Sequence, residues 1–255
     1  MKTATLMQIA FISVIITISH ASGGEPLPKS KIRVLIITGG HDYDRGPFYS
    51  AFDAIPSISY DTIVHPDAND LIASERVNSY DVLLFYDMGE DISLEHQRAY
   101  IDLLKKGKSI IFLHHALVSY QKWPEFVKIV GGQYHTTPVV ISGDTLSANY
   151  EHDVMMSIKV EDKKHPVTQG LSDFDILDEI YMDVEILPSV KPLLRTTHPN
   201  SMRYVAWVNR YENSDVIYIQ LGHGETGLSN PNFRMLLRQA IEWSAARHST
   251  KWTSH

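Results

Sequence analysis

The feature that most constrains the fold is a pair of short apolar segments that both end in histidine. Residues 109–113 run directly into His114 and His115, and residues 216–221 run into His223, which stands between two glycines. An uninterrupted apolar run of this length is typical of a strand buried on both faces of a parallel sheet. Ligands bind at the carboxyl edge of such a sheet, and histidine there predicts proton transfer or metal ligation.

The rest of the pattern predicts an α/β fold in which strands and helices alternate. Early strands are predicted at residues 31–38, 59–65, 81–87 and 109–113. The clearest of the helices between them has Ser93 as its N-cap and Gly107 as its stop signal. Such short β-α-β spacing predicts a parallel sheet covered by helices on both faces, with right-handed crossovers between its strands.

The character of the chain changes between residues 136 and 208, where helix signals largely vanish. Segments rich in Thr, Ser, Val and Ile predict antiparallel strands and long loops that extend one edge of the sheet. The core resumes with predicted strands at 204–208 and 215–221 and a final helix around 233–246. One domain is the economical interpretation, because the chain has no internal repeat.

The beginning of the chain has the pattern of a cleaved secretory signal, with a charged start, an apolar middle and small residues at the exit. Gln8 and Ser13 interrupt the apolar stretch, which is short for the roughly 20 apolar residues that span a bilayer, so a membrane anchor is the weaker interpretation. We predict a signal peptide at 1–22, a linker at 23–30, one domain at 31–248 and a tail at 249–255. The mature protein is then periplasmic or secreted and is not inserted into a membrane.

Composition excludes several classes of function. The formal net charge of −7 and the absence of a Lys/Arg cluster argue against a nucleic-acid partner. The chain has no cysteine, which excludes a thiol nucleophile and cysteine-ligated zinc. No Gly-x-Ser-x-Gly sequence places a serine at a sharp strand-to-helix turn, so acid–base or metal chemistry by histidine is what remains.

Three histidines are predicted to converge because each follows the end of a strand. Neutral imidazoles of His41, His115 and His223 could bind Zn²⁺ or a similar divalent ion, with Glu179 or Asp87 completing the shell. No closely spaced ligand pair such as His-Glu-x-x-His is present to support that site. Three interpretations therefore stay open: a metal site, metal-free acid–base catalysis by histidine beside Glu179, and binding without chemistry.

Neighbouring side chains alternate in an extended strand, so only one of His114 and His115 is expected to face the crevice, and we assign His115 to it. The predicted catalytic residues are thus His115, His223 and Glu179. The predicted substrate contacts are His41, His114, His135, Tyr181 and Tyr43.

Three other residues receive structural interpretations. His165 precedes Pro166 and is expected in a turn. Asn230 is expected to cap the final helix. Trp207 is expected to pack under that same helix.

A series of short motifs occurs in a fixed order between residues 31 and 246. They include Thr38-Gly39-Gly40-His41, Leu113-His114-His115-Ala116, Gly131-Gly132-Gln133-Tyr134-His135, Asp178-Glu179-Ile180-Tyr181 and Leu221-Gly222-His223-Gly224. In this order they resemble the ThuA-like, or trehalose-utilisation, family. The resemblance implies a flavodoxin-like, class I glutamine amidotransferase-like three-layer sandwich, mostly parallel with an antiparallel extension, that has lost the thiol position.

The resemblance also implies a link to bacterial carbohydrate metabolism. The expected function is that of an exported hydrolase, lyase or isomerase acting on a small carbohydrate or an oxidised (keto) sugar or glycoside. Glutamine amidotransferase activity is not expected, because the chain has no cysteine. The alternative is a noncatalytic carbohydrate-binding protein on the same scaffold, and the oligomeric state stays open, a homo-oligomer included.

Overall fold

The structure, a computed structural model, describes residues 30–252, and these residues form one nine-stranded sheet and two small two-stranded sheets. The strands are β1 (Ile32–Gly39), β2 (Ile58–Val64), β3 (Val82–Asp87), β4 (Ser109–Leu113), β5 (Gly132–Gln133), β6 (Val139–Ile141), β7 (Asp144–Leu146), β8 (Asn149–Val160), β9 (Phe174–Met182), β10 (Glu185–Ile186), β11 (Lys191–Thr196), β12 (Tyr204–Tyr211) and β13 (Ser214–Ile219). The α-helices are α1 (Arg45–Asp53), α2 (Asp67–Ile72), α3 (Leu94–Lys105), α4 (Pro124–Val130), α5 (Glu225–Ser229) and α6 (Pro231–Trp252).

The large sheet has the order β2-β1-β3-β4-β13-β12-β11-β8-β9. The first five strands in this order are parallel, and the remaining four continue the sheet in antiparallel pairs. The predicted fold class is therefore confirmed, including the antiparallel extension of one edge.

Helices cover both faces of the sheet because its strands are apolar on both. In β1, Val34 and Ile36 belong to one core, which also receives side chains of α1 and α6. Leu35 and Ile37 belong to the opposite core, which receives side chains of α2, α3 and α4. The consecutive apolar residues of the early strands thus mark burial on two faces, as the sequence predicts.

The two helix N-caps predicted from the sequence, Ser93 of α3 and Asn230 of α6, are observed. The Ser93 hydroxyl accepts a hydrogen bond from the backbone N–H of His96 at 3.2 Å. Asn230 caps α6, since its Oδ1 accepts from the N–H groups of Asn232 at 2.9 Å and Phe233 at 3.4 Å. His165 accepts from the backbone N–H of Val167, as expected for a residue in a turn.

The expectation for Trp207 is wrong. Its indole donates to the carbonyl of Val130 at the end of α4, and its ring packs on Tyr218. Alternation along β12 explains the difference: Ala206 and Val208 face the core beneath α6, so Trp207 between them faces the other core.

The predicted signal peptide at 1–22 and most of the predicted linker lie outside the described residues. At the other end, the backbone of α6 continues past residue 248 to Trp252. Within residues 30–252, no helix combines the length and the apolar character that crossing a membrane requires.

A buried lysine at the base of the sheet gives a testable pH dependence. Lys108 is 1% exposed, and its ammonium donates to the carbonyl of Tyr80 at 2.6 Å. Burial lowers the pKa of Lys108 from 10.5 to about 8, and the charge of Asp81 opposes that shift only in part. Between these two pH values the unfolded chain binds a proton that the native protein does not. The free energy of unfolding therefore rises with pH in this window, by at most about 3 kcal/mol from this group.

Urea unfolding of the wild type and of Lys108→Met at pH 7.5 and pH 10 measures this contribution. We expect the free energy of unfolding of the wild type to increase relative to that of Lys108→Met as the pH is raised. Parallel pH dependence of the two proteins would show that Lys108 titrates as it does in the unfolded chain.

Candidate functional site

A cavity of about 380 Å³ opens at the carboxyl edge of the parallel strands. The loops after β1, β3, β4 and β13 meet there, as is usual for ligand sites in α/β sheets, and β8 and β9 contribute the opposite wall. The lining residues are His41, Met88, His114, His115, Val118, Tyr134, Thr136, Ala148, Tyr150, His152, Glu179, Tyr181 and His223. The predicted convergence of imidazoles on one crevice is therefore observed.

Glu179 lies among three of these imidazoles. Its Oε1 is 3.2 Å from His114 Nε2, and its Oε2 is 2.7 Å from His152 Nδ1 and 3.6 Å from His223 Nδ1. The side chains of His114 and Glu179 are almost fully buried, whereas His152 is 51% exposed and His223 28% exposed. A molecule in the cavity therefore meets His152 and His223 first. We call these four residues the Glu179 cluster.

The chain does not stay extended beyond β4, and this change decides where the two adjacent histidines lie. His114 has the left-handed φ of 48° and begins a 3₁₀ turn, His114–Val118. Both His114 and His115 line the cavity as a result, whereas an extended chain would have turned one of them away.

The hydrogen bonds of His114 define the role of each ring nitrogen. Its Nδ1 is 2.5 Å from the carbonyl oxygen of Gln220, so Nδ1 carries a proton and donates it. In a neutral ring, Nε2 is then an acceptor, and it lies 3.0 Å from His223 Nδ1. A proton on His223 Nδ1 satisfies this contact.

His115, which the sequence assigns to the crevice, lies deeper than expected. Its ring stacks on that of the exposed His41, at 4.7 Å between centroids, and contacts that of Tyr86 at 4.2 Å. Both of its ring nitrogens are buried, and the contact with the Tyr86 backbone does not reach hydrogen-bond geometry.

The turn that carries His223 is held by a buried carboxylate. Asp178 accepts hydrogen bonds from the backbone N–H groups of Gly222 at 2.7 Å, His223 at 3.0 Å and Glu179 at 2.9 Å. Gly222 has a φ of 104°, and a Cβ there would lie 2.7 Å from the ring of Phe233. A glycine is therefore required before His223, for its backbone conformation as well as for space.

His152 is the member of the cluster that sequence reasoning missed. A bulge in the β8–β9 ladder lies between Glu151 and Val154, and Asp153 within it has a φ of 55°. His152 and Asp153 together stand opposite Glu179, which brings the His152 imidazole onto its carboxylate. No sequence signal marks this bulge, because a histidine in a polar stretch of an antiparallel strand is common on exposed surfaces.

Burial and neighbouring charges shift the protonation of the cluster. Burial acts to raise the pKa of Glu179, but the contact with His114 and the other nearby imidazoles outweigh it, so this pKa lies below its usual value. Burial, together with the neighbouring His114, lowers the pKa of His223 to about 4. Burial also lowers the pKa of His115 well below its usual value. At pH 7 the site therefore presents the carboxylate of Glu179 beside a neutral His223, with a neutral His115 deeper in the cavity.

Of the two tyrosines predicted to contact the substrate, Tyr181 lies in the cavity and Tyr43 does not. Tyr181 lines the cavity, packs on His114 at 5.0 Å between ring centroids and meets Tyr134 at 5.1 Å. Tyr43 is not in the lining and instead packs on Tyr86, with its hydroxyl 3.0 Å from that of Tyr49.

Two further candidates are engaged elsewhere. His135 is absent from the lining, and its Nε2 is 2.7 Å from Glu185 Oε2. Asp87, one of the two carboxylates considered as a metal ligand, pairs with His65 at 2.9 Å instead. Of the two carboxylates, Glu179 is thus the one that lies with the histidines of the cavity.

One set of these side chains can hold a metal ion. The ligand atoms of His114, Glu179 and His223 lie within 4.8 Å of one another. This set differs from the predicted His41, His115 and His223, because the turn after β4 aims His114, rather than His115, at Glu179 and His223.

Comparison with known proteins adds a family and a fold. A family model described as "Trehalose utilisation", ThuA, matches residues 33–244. No curated protein sequence gives a match.

Solved structures of similar fold include two described as ThuA-like proteins. The one from Parabacteroides merdae has a TM-score of 0.70 at 18% identity and covers 84% of this chain and 90% of its own. The one from Bacteroides uniformis has a TM-score of 0.66 at 18% identity, covering 87% and 94%. A protein from Thermoplasma acidophilum, described as part of a GMP synthase, has a TM-score of 0.53 at 10% identity, covering 87% and 98%. At these identities the likeness shows the fold alone.

Proposed function

Because the chain belongs to the ThuA family, described by trehalose utilisation, we propose that it binds a small carbohydrate or an oxidised sugar in the cavity and acts on it with His223 and Glu179. The observation that carries this proposal is a partly exposed imidazole, His223, beside a buried carboxylate in a cavity of ligand size. The rings of Tyr134, Tyr150 and Tyr181 line the same cavity and offer flat surfaces to a sugar.

The chemistry that this arrangement supports is proton removal at one substrate atom and proton delivery at another. His223 is half-buried and neutral, so it is suited to accept a proton from a substrate hydroxyl, carbon or water. The carboxylate of Glu179 stabilises the imidazolium that forms, because it lies 3.6 Å from Nδ1. Hydrolysis, elimination and isomerisation of a keto sugar all use such a pair.

A keto sugar or glycoside also needs an electrophile that polarises its oxygen. That electrophile is either a proton held on an imidazole of the Glu179 cluster or a divalent metal ion such as Zn²⁺ bound by the same atoms. In both forms the reacting oxygen lies beside His223 and His152, which are the exposed members of the cluster.

A second candidate function is sugar binding without chemistry. It is favoured by the position of the Glu179 carboxylate, which is buried beside His114 and paired with the half-exposed His152 at 2.7 Å, and so is already engaged within the protein. The predicted signal segment at 1–22 supports a periplasmic or secreted location in either case.

Substitution of His223 by alanine separates the two candidates. For an enzyme we expect kcat on a glycoside or keto-glycoside to fall by about 10²-fold or more, because the imidazole supplies proton transfer, while sugar affinity stays within about tenfold. The measurement combines a turnover assay over a panel of glycosides and keto-glycosides with calorimetric binding of the same sugars.

The outcomes of this experiment are distinct. If the wild type turns over no sugar of the panel but binds one, and His223→Ala weakens that binding, the binding protein is the correct interpretation. If the wild type neither binds nor converts any sugar, the carbohydrate proposal fails altogether.

A further inference from the structure

We propose that the Glu179 cluster is a metal site, in which His114 Nε2, His223 Nδ1 and a Glu179 carboxylate oxygen bind one divalent transition-metal ion. The fourth position of the ion faces the cavity and takes water or a sugar oxygen. The role of the ion in catalysis rests on the proposed function, whereas binding of the ion to the protein can be measured without any sugar.

The distances between the three ligand atoms fit a small ion. Two atoms bound tetrahedrally at about 2.0 to 2.1 Å from one ion lie about 3.3 Å apart. In the cluster, His114 Nε2 is 3.0 Å from His223 Nδ1 and 3.2 Å from Glu179 Oε1. The carboxylate oxygen nearer to His223 is the other one, since Oε2 lies 3.6 Å from His223 Nδ1. Because the ligand atoms of the three residues all lie within 4.8 Å of one another, a rotation of the Glu179 carboxylate or a shift of the His223 ring is enough for one oxygen and both nitrogens to share an ion.

The ring of His114 is oriented as metal-binding histidines usually are. Its Nδ1–H donates to the backbone carbonyl of Gln220, which leaves the lone pair of Nε2 directed into the cluster. His223 Nδ1 lies opposite that lone pair. An ion between them replaces the proton that the contact otherwise requires. His223 then binds the ion and carries its proton on Nε2, so water on the ion would take over the proton acceptance proposed above for the metal-free His223.

The carboxylate of Glu179 is positioned by a histidine outside the ligand set. His152 Nδ1 lies 2.7 Å from Oε2, so an N–H there holds the carboxylate while Oε1 stays beside His114 Nε2. Such supporting hydrogen bonds to ligands typically change metal affinity by 10- to 100-fold. His152 is thus a positioning residue for the proposed ion.

The ligand types select the kind of ion and indicate its use. Two imidazoles and one carboxylate favour Zn²⁺, Co²⁺ or a similar transition metal over Mg²⁺ and Ca²⁺, which prefer oxygen ligands. Three protein ligands with an open fourth position are typical of catalytic rather than structural zinc sites. The exposure of His223 and His152 places that open side toward the cavity.

Titration of the chelator-treated full chain with Co²⁺, followed by visible absorption, tests the site. We expect one equivalent to bind with the absorption bands of a four-coordinate nitrogen and oxygen site, and Zn²⁺ to displace it. A large excess of Mg²⁺ or Ca²⁺ is not expected to displace it.

Three variants locate the ion. Glu179→Gln is expected to weaken Co²⁺ binding by about 100-fold or more, and His152→Gln by about 10-fold, since the latter removes only the support of the carboxylate. His152 is exposed enough for its replacement to leave folding intact. His96→Gln, which removes a histidine paired with Asp70 at 3.0 Å on the surface, serves as the control and should bind Co²⁺ like the wild type.

Two results would overturn the metal site: Co²⁺ uptake of much less than one equivalent, or equal Co²⁺ affinity in the wild type, Glu179→Gln and His152→Gln. Full sugar turnover by the metal-free protein would remove the ion's catalytic role and leave the proposed function intact. Tight Co²⁺ binding that depends on Glu179, without turnover of any sugar, would support the metal site and contradict the enzymatic function.

Discussion

Replacement of Glu179 by glutamine is expected to lower kcat/KM for a sugar substrate by about 10⁴-fold, or about 5.5 kcal/mol of transition-state stabilisation. The carboxylate lies within 3.6 Å of three imidazoles and carries the negative charge that they face. Glutamine has the same shape but no charge. It removes both the counter-ion of a protonated His223 and the anionic ligand of a bound metal.

Glu185→Gln is the matched control for this substitution. Glu185 also pairs with a histidine, His135, at 2.7 Å, but neither residue lines the cavity. We expect Glu185→Gln to keep kcat/KM within about twofold of the wild type. Near-UV circular dichroism of both variants checks that the fold is retained, and a Glu179→Gln protein that keeps more than a tenth of wild-type kcat/KM would limit Glu179 to a structural role.

The parallel half of the sheet could be predicted because its signals are local. Four-residue apolar runs such as Val34 to Ile37 require burial on two faces, and the loops that follow such strands must lie at one edge. That argument brings His41, His115 and His223 to one place without knowledge of any contact.

The finer geometry of the site could not be predicted, because it depends on single backbone dihedrals and on contacts between distant strands. Because His114 has a φ of 48°, His114 rather than His115 contacts Glu179 and belongs to the cluster. The bulge at Asp153 brings His152 onto Glu179 from 27 residues earlier in the chain. Neither conformation has a sequence pattern of its own, since residues of these types adopt them only where the surrounding structure compensates.

Replacement of Asp178 by alanine is expected to lower the free energy of unfolding by about 4 kcal/mol. Its buried carboxylate accepts three backbone N–H groups, those of Glu179, Gly222 and His223, and alanine leaves all three without this acceptor. A buried donor without an acceptor costs about 1 to 3 kcal/mol, and part of that cost is relieved by relaxation or water. Urea unfolding of the wild type and the variant measures the difference.

Asp175→Ala on the same strand is the control, because Asp175 is exposed and its Oδ1 accepts the hydroxyl of Ser157 at 2.6 Å rather than a buried backbone N–H. Its free energy of unfolding is expected to change by less than about 1 kcal/mol. Equal losses in Asp175→Ala and Asp178→Ala would mean that the carboxylate of Asp178 does not hold the His223 turn.

The carboxylate of Asp178 can also be displaced without removing its charge. A Cβ added at Gly227 would lie 2.5 Å from Asp178 Oδ2, whereas one added at Gly224 meets no atom within 4 Å. Gly227→Ala must therefore displace either the carboxylate or α5, and overpacking of this kind costs about 1 to 3 kcal/mol. We expect Gly227→Ala to be destabilised by that amount and Gly224→Ala to unfold like the wild type, because only the first substitution reaches the carboxylate that holds His223 in place.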